Sequence, residues 1–327
     1  MKLRAGPIVK KAAAATLIAA AAWFLFDTIR DNWAQVRGFD WEVRPVQLAA
    51  SVVALALVLA WGVWVWGRVL ERFDHPPVGF PTLLRIWFLS NLARYIPGTV
   101  FQFVTAAQLS RSAGLSPAVL LTSLLLHTGM SLLSALLVSA WTLAGRLPAL
   151  PPLPVALLAT ALAALAVHPR VLGWAIGLIP RLLKREVLRW KGTWGDGLKL
   201  LALSTLSWGM YGAAYALFLS SLGAASFRAL PMLIGVNALS FVAGFVVIFA
   251  PGGWGVREFA MSRLLLPLLP ESVAALVAVA ARLWTIAAQQ IGGAPAHPAR
   301  RALRRTGARR AALTLTASRR ASAPGGR

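Results

Sequence analysis

Cysteine is absent from the 327 residues, which excludes disulfides and thiolate metal sites. The four histidines, at 75, 127, 168 and 297, are scattered without metal-ligand spacing. Only ten acidic residues are present, and charged residues make up 13% of the chain, against about 25% in soluble domains. No HExxH, GxSxG or glycine-rich nucleotide loop occurs. General acid–base chemistry needs a pair of titratable groups, and Glu258 is the one credible carboxylate inside an apolar stretch. These absences argue against an enzyme, a metal, a cofactor, or direct use of ATP.

What is present is apolar. Hydrophobic residues make up 58% of the chain and the mean hydropathy is +0.69, the composition of an integral membrane protein. The net charge of +23 would suggest nucleic acid, but its distribution argues against that partner. Nine arginines and no acid lie in Pro295–Arg327, and most of the remaining excess is at the N-terminus and in one central loop. Basic charge beside apolar spans controls topology and attracts anionic lipid.

Apolar segments near 9–29, 46–67, 116–143, 152–168, 199–222 and 272–293 are long enough to cross the hydrocarbon core. The first follows Lys2, Arg4, Lys10 and Lys11 and continues through Trp23-Phe24-Leu25-Phe26, as expected of an uncleaved span. Loop charges set the orientation. The N-terminus, residues 168–199 and the arginine-rich tail are expected to be cytoplasmic. Residues 27–45, with Asp27, Asp31, Asp40 and Glu42, are expected outside. Two further apolar regions, 82–110 and 229–270, must then each enter and leave on one side, from opposite faces. The expected fold class is an all-α polytopic helical bundle of about six spans plus two re-entrant hairpins in inverted topology. Residues 1–294 would form the membrane domain and 295–327 a basic, disordered tail.

Both odd regions contain a Pro-Gly break. In Arg94-Tyr95-Ile96-Pro97-Gly98-Thr99-Val100-Phe101-Gln102, Pro97 ends one helix and Thr99 with Gln102 can cap the next. In Pro251-Gly252-Gly253-Trp254-Gly255-Val256-Arg257-Glu258, Gly255 can serve as N-cap with Glu258 at the third helical position. Broken backbone at membrane depth survives only inside protein or beside a wet cavity. A fresh helix N-terminus attracts anions, and guanidinium matches phosphate. Arg94, Gly98, Gln102, Gly252, Gly253, Arg257 and Glu258 are therefore candidate substrate-binding positions. For Glu258 a plain helix cap or ion pair is an equal reading, and Arg94 can instead snorkel to the interface.

Arg282 completes the set. It lies in mid-span, where a cation costs roughly 2.5 kcal/mol or more unless paired or hydrated, and Glu258 is its expected partner. Gln289 and Gln290 lie further along that segment. His127 reads as a hydrogen-bonded packing residue, with a proton relay as the alternative. Trp23, Trp41, Trp64, Trp66, Trp141 and Trp208 read as interfacial anchors, and Trp254 as a contact for an acyl chain or ring. Residues 169–194 mix apolar and basic positions, as in an amphipathic segment on the cytoplasmic leaflet.

The stretches NLARYIPGTVFQ (91–102), PGGWGVRE (251–258) and ARLWT (281–285) resemble the lysylphosphatidylglycerol synthase transmembrane-domain family. This flippase-like domain occurs fused in multiple-peptide-resistance proteins and free-standing in many bacteria. The resemblance covers roughly 10–293. It implies a polytopic fold with re-entrant segments in the bacterial inner membrane and a role in moving lipids or lipid-linked head groups between leaflets. It carries Arg94, Pro97, Gly98, Gly252, Gly253, Arg257, Glu258 and Arg282 as functional positions. Members often bear an acid where this chain has His127, so acid-based coupling is not expected there. The expected tail, 295–327, has 33 residues, so this chain is not expected to synthesise lysyl-phosphatidylglycerol. The expected function is a flippase or translocator for an anionic phospholipid or polyprenyl-type lipid. The alternative is a non-transporting membrane partner of a glycosyltransferase or lipid-modifying enzyme.

Overall fold

The computed structural model describes residues 19, 23–93, 100–146, 151–182, 188–247 and 253–293. Among them every regular element is helical, and no strand occurs. Long apolar segments dictate this, because in lipid a helix satisfies each backbone N–H and C=O internally. After short helical stretches at 23–31 and Trp33–Gly38, the helices are α1 (Pro45–Leu70), α2 (Phe80–Ala93), α3 (Val100–Ser112), α4 (Pro117–Leu143) and α5 (Pro152–Ala166). There follow α6 (Pro169–Leu182), α7 (Trp194–Ser220), α8 (Leu230–Val246), α9 (Val256–Leu265) and α10 (Glu271–Gly293).

Local chemistry sets the starts. Proline stands in the first turn of α1, α4, α5 and α8, where its missing N–H would have no partner anyway. Ser116 Oγ accepts the Val119 N–H at the head of α4. Thr193 and Asp196 form a reciprocal capping box at the head of α7.

Four helices are long and apolar enough to cross a membrane: Pro45–Leu70, Pro117–Leu143, Phe227–Val246 and Glu271–Gly292. The pair Pro152–Ala166 and Pro169–Leu178, bent by 68°, adds a fifth if counted as one span. The protein is an all-α polytopic membrane bundle. Helices occupy the expected segments 46–67, 116–143, 152–168, 199–222 and 272–293 as α1, α4, α5, α7 and α10. Of these, α1, α4 and α10 reach spanning length and hydropathy by themselves, α5 does so only with α6, and α7 is not among the helices that do. Most of 9–29 lies outside the described residues. One expectation needs correction. The region 229–270 was read as a re-entrant hairpin without a plain span, yet its first arm, extended by a 3-10 turn from Phe227, is itself 20 residues long and of spanning hydropathy. Only the returning arm, α9, is short.

The chain has two recognisable ends. At the upper end the Arg44 N–H donates to Ser221 O, Gly223 packs on Asp40 and Glu42, and Ser272 Oγ donates to Gln35 Oε1. At the lower end the Lys191 N–H donates to Arg72 O, Lys191 Nζ pairs with Asp74 at 2.8 Å, and Arg72 pairs with Asp196 at 2.9 Å. The Lys191 hydrogen bond and charge hold the Asp74 carboxyl below its ordinary range, so this strap contributes at neutral pH and is lost as the pH falls. Helices α2 and α3 form a hairpin that begins and ends at the lower end. Helices α8 and α9 form one that begins and ends at the upper end. Gly244 of α8 faces Gly253 and Arg257 as the chain turns back. The turn residues themselves, 94–99 and 248–252, lie outside the described residues, and so does the expected meeting of the two tips.

Helices approach closely where side chains vanish. A Cβ on Gly212 would stand 2.2 Å from Ile234 Cγ1 and 2.8 Å from its Cα, so α7 and α8 touch backbone to backbone. We expect Gly212→Val to lower the unfolding temperature of the detergent-solubilised protein by an amount matching an overpacking cost of about 3 kcal/mol or more. Thermal unfolding followed by circular dichroism measures it.

Two tryptophans depart from the expected anchoring role. Trp66 is fully buried, with its N–H on Ser123 Oγ, and Trp208 is buried with its N–H shared by Ser131 O and Ser134 Oγ. Both sit in the core because a neighbouring helix supplies the acceptor an indole needs. Trp23 and Trp141 are exposed, as anchors should be.

Candidate functional site

The second break positions the charges. Gly253 and Gly255 adopt φ of +68° and +80°, values that a side chain disfavours, and these turns let the chain restart at once as α9. Glu258 stands one turn in and is buried. Its Oε2 accepts the Gly255 N–H at 2.7 Å, and its Oε1 lies 3.3 Å from Arg282 Nε. The helix-cap reading and the ion-pair reading of Glu258 therefore hold together, one oxygen for each.

Arg282 lies eleven residues from either end of α10, roughly 16 Å deep along the helix. Its side chain is only 11% exposed, and its guanidinium lies over the Trp254 ring, 4.9 Å from the centroid. A cation stacked on indole and paired with a carboxylate is stabilised on two sides. Trp254 thus contacts Arg282 directly rather than serving only as a wall for lipid.

Arg257 is held differently. Its Nη2 donates to Asn237 Oδ1 at 3.1 Å and to Tyr211 Oη at 3.3 Å, and Tyr211 Oη lies 3.4 Å from Thr285 Oγ1. All these partners are neutral; among the described residues Arg257 forms no ion pair. The sequence reading gave this guanidinium to a phosphate, but part of its donor set is committed within the protein. Asn237, Tyr211 and Thr285 are contributors that the sequence reading missed. Asn237 had a signal, since a lone amide in the apolar run Leu230–Val246 needs a partner. Its Nδ2 is buried with no hydrogen-bond partner among the described residues.

Two arginines thus stand against one carboxylate, which pairs with Arg282, and among the described residues the cluster carries one surplus positive charge. Beside it lie exposed apolar side chains: Phe245, Val246, Trp254 and Phe259. The cluster has a polar interior and an apolar flank.

Other sequence-predicted positions are less defined. Arg94, Gly98 and Gly252 lie outside the described residues. Helix α3 does begin at Val100, directly after the expected cap Thr99, and the backbone of Gln102 is helical, but the placement of its side chain is not described. His127 on α4 has a buried Nδ1 with no hydrogen-bond partner among the described residues, so the expected hydrogen-bonded packing is not found at that atom. No cluster of potential metal ligands occurs among the described residues.

Fold and site together define a polytopic helical membrane protein with a broken, cation-rich hairpin buried in its bundle. The chain belongs to the family described as the lysylphosphatidylglycerol synthase TM region, whose model matches residues 11–293. No curated protein matches the chain.

Proposed function

We propose that this protein is a lipid translocator. It would move an anionic phospholipid or lipid-linked head group between the leaflets of a bacterial inner membrane, with the lower end and both termini cytoplasmic. The observation that carries this reading is the charge count among the described residues of the buried cluster: Arg257 and Arg282 against Glu258. A surplus cation in low dielectric is costly, and a head group with one net negative charge neutralises it. The apolar flank at Phe245, Val246, Trp254 and Phe259 suits an acyl chain that stays in lipid while its head group passes. Hairpins opening to opposite ends support rocking of one half against the other. In this reading the chain itself performs no covalent chemistry and carries no cofactor.

Reconstituted vesicles with fluorescent phosphatidylglycerol or phosphatidylcholine test it, with an external reductant reporting leaflet exposure. Arg257→Gln keeps a donor for Asn237 and Tyr211 but removes the charge. It should slow movement of the anionic lipid more than about tenfold, a barrier increase of about 1.4 kcal/mol, with little change in unfolding temperature. An unchanged rate would refute the proposal.

A second reading draws on α6. Its Val171, Trp174 and Leu178 form an exposed apolar stripe, while Leu172 and Ile176 are buried against the bundle. Such a stripe suits an interfacial helix or a docking surface for a lipid-modifying enzyme. A partner that co-purifies with the native chain but not with Trp174→Ser, while vesicle transport stays absent in both, would favour this reading.

A further inference from the structure

A second polar feature lies away from the buried cluster. At the upper end a cleft of about 440 Å³ is lined by Thr142, Ser226, Arg228, Pro231, Met232 and Leu268. It falls in the range of about 300–1,000 Å³ usual for small-ligand sites. Arg228 has no ion pair or side-chain hydrogen bond among the described residues, and it stands in the 3-10 turn just before α8. Ser226 brings a hydroxyl to the same cleft, whereas the Thr142 hydroxyl donates to Val138 O at 2.8 Å, and Met232 and Leu268 bring apolar surface. Phe227, Leu266 and Leu268 are exposed around the mouth of the hairpin.

We infer that this cleft is a separate head-group station for an anionic phospholipid at the upper leaflet. A guanidinium that is unpaired among the described residues, with the Ser226 hydroxyl nearby, is a donor set that a phosphate oxygen recognises. The exposed apolar rim gives the attached acyl chains a place outside the cleft. The floor is closed: a Cβ on Gly235 would fall 2.2 Å from Thr142 Oγ1 and 2.6 Å from Leu143 Cγ, so α4 and α8 meet directly one turn below Pro231. Asn237, the partner of Arg257, lies six residues beyond Pro231, roughly 9 Å further along the helix. The cleft and the buried cluster are thus two stations separated by a tight helix contact. Occupation of the upper station requires no movement between them.

The absence of native cysteine makes the test direct, because Ser226→Cys introduces the sole thiol. The full chain carrying that substitution is placed in nanodiscs of phosphatidylcholine alone or with added phosphatidylglycerol, and labelled with a neutral maleimide. At an anionic lipid content three times half-saturation the cleft is free about a quarter of the time, so labelling should slow about fourfold. Added Arg228→Gln should abolish that protection; as Arg228 is exposed and has no ion pair among the described residues, this change should leave folding intact. Equal labelling in both lipid compositions would overturn the inference, as would protection that survives Arg228→Gln. Protection by inorganic phosphate in phosphatidylcholine discs would reassign the cleft to a free anion and overturn the lipid assignment. The assay reads binding alone. Missing protection with intact transport would sink the cleft and leave the translocator reading standing; protection without transport would do the reverse.

Discussion

Replacement of Glu258 by alanine is expected to cost about 3–5 kcal/mol of stability, because it strands Arg282 without its carboxylate inside the bundle. The same change removes the acceptor for the Gly255 N–H, a loss of about 1 kcal/mol for a helix cap. Glu258→Gln separates the two contributions. Its amide oxygen still accepts from Gly255, so the cap persists while the charge is gone. We therefore expect the unfolding temperature to fall in the order native, Glu258→Gln, Glu258→Ala. The double change Glu258→Gln with Arg282→Met should recover part of the loss, since replacing a buried pair with uncharged groups is far less costly than breaking it. Transport of anionic lipid should be lost in Glu258→Gln and in Glu258→Ala, which each raise the surplus from one positive charge to two, and should return in the double change, which keeps Arg257 as the one surplus cation of the cluster. Full stability in Glu258→Ala would show that the pair is hydrated and of little structural weight. Loss of transport in the double variant despite the restored count would show that the surplus charge is not what the head group reads.

The second large effect is expected at Gly253. Its φ of +68° lies where a left-handed backbone costs a non-glycine residue about 1–2 kcal/mol. A Cβ there would also stand 2.8 Å from Gly244 O and 2.9 Å from Gly244 Cα, atoms of the facing helix that cannot rotate away. Gly253→Ala should therefore separate α8 from the start of α9 and displace Arg257 from Asn237. We expect a stability loss of several kcal/mol, since backbone strain and overpacking add. Transport should fall to background even where the protein is still purified folded. Gly129 provides the control. It lies in α4 with nothing within 4 Å of its would-be Cβ, so Gly129→Ala should leave stability unchanged or raise it by up to about 1 kcal/mol. If the two substitutions behave alike, the tight turn does not hold the site together.

Much of the architecture was legible in the residues. The apolar segments named their own helices, and the Pro-Gly breaks located both hairpins. The Glu258–Arg282 pair could be anticipated because a mid-span arginine needs an anion and one carboxylate was at hand. The span-length arm of the second hairpin was harder, since the Pro-Gly break drew all of 229–270 into one re-entrant segment, whereas burial of Asn237, Ser240 and Gly244 among neighbouring helices lets Leu230–Val246 run on as one apolar helix. Trp66 and Trp208 were misjudged for a related reason. Nothing in a single segment reveals that Ser123, or Ser134 with the carbonyl of Ser131, waits on another helix. The neutral ring around Arg257 comes from α7, α8 and α10, so only the assembled bundle could display it. Arg228 and Ser226 gave no periodic signal, because they sit in a connector whose shape depends on its neighbours.

The two oxygens of Glu258 face different duties, one toward the backbone of the returning arm and one toward a guanidinium on the adjacent helix. Local folding and electrical neutrality thus rest on a single side chain. An aspartate, one methylene shorter, reaches only one of the two, so this position has almost no conservative substitute. Any drift in sequence here forfeits either the shape of the turn or the balance of charge.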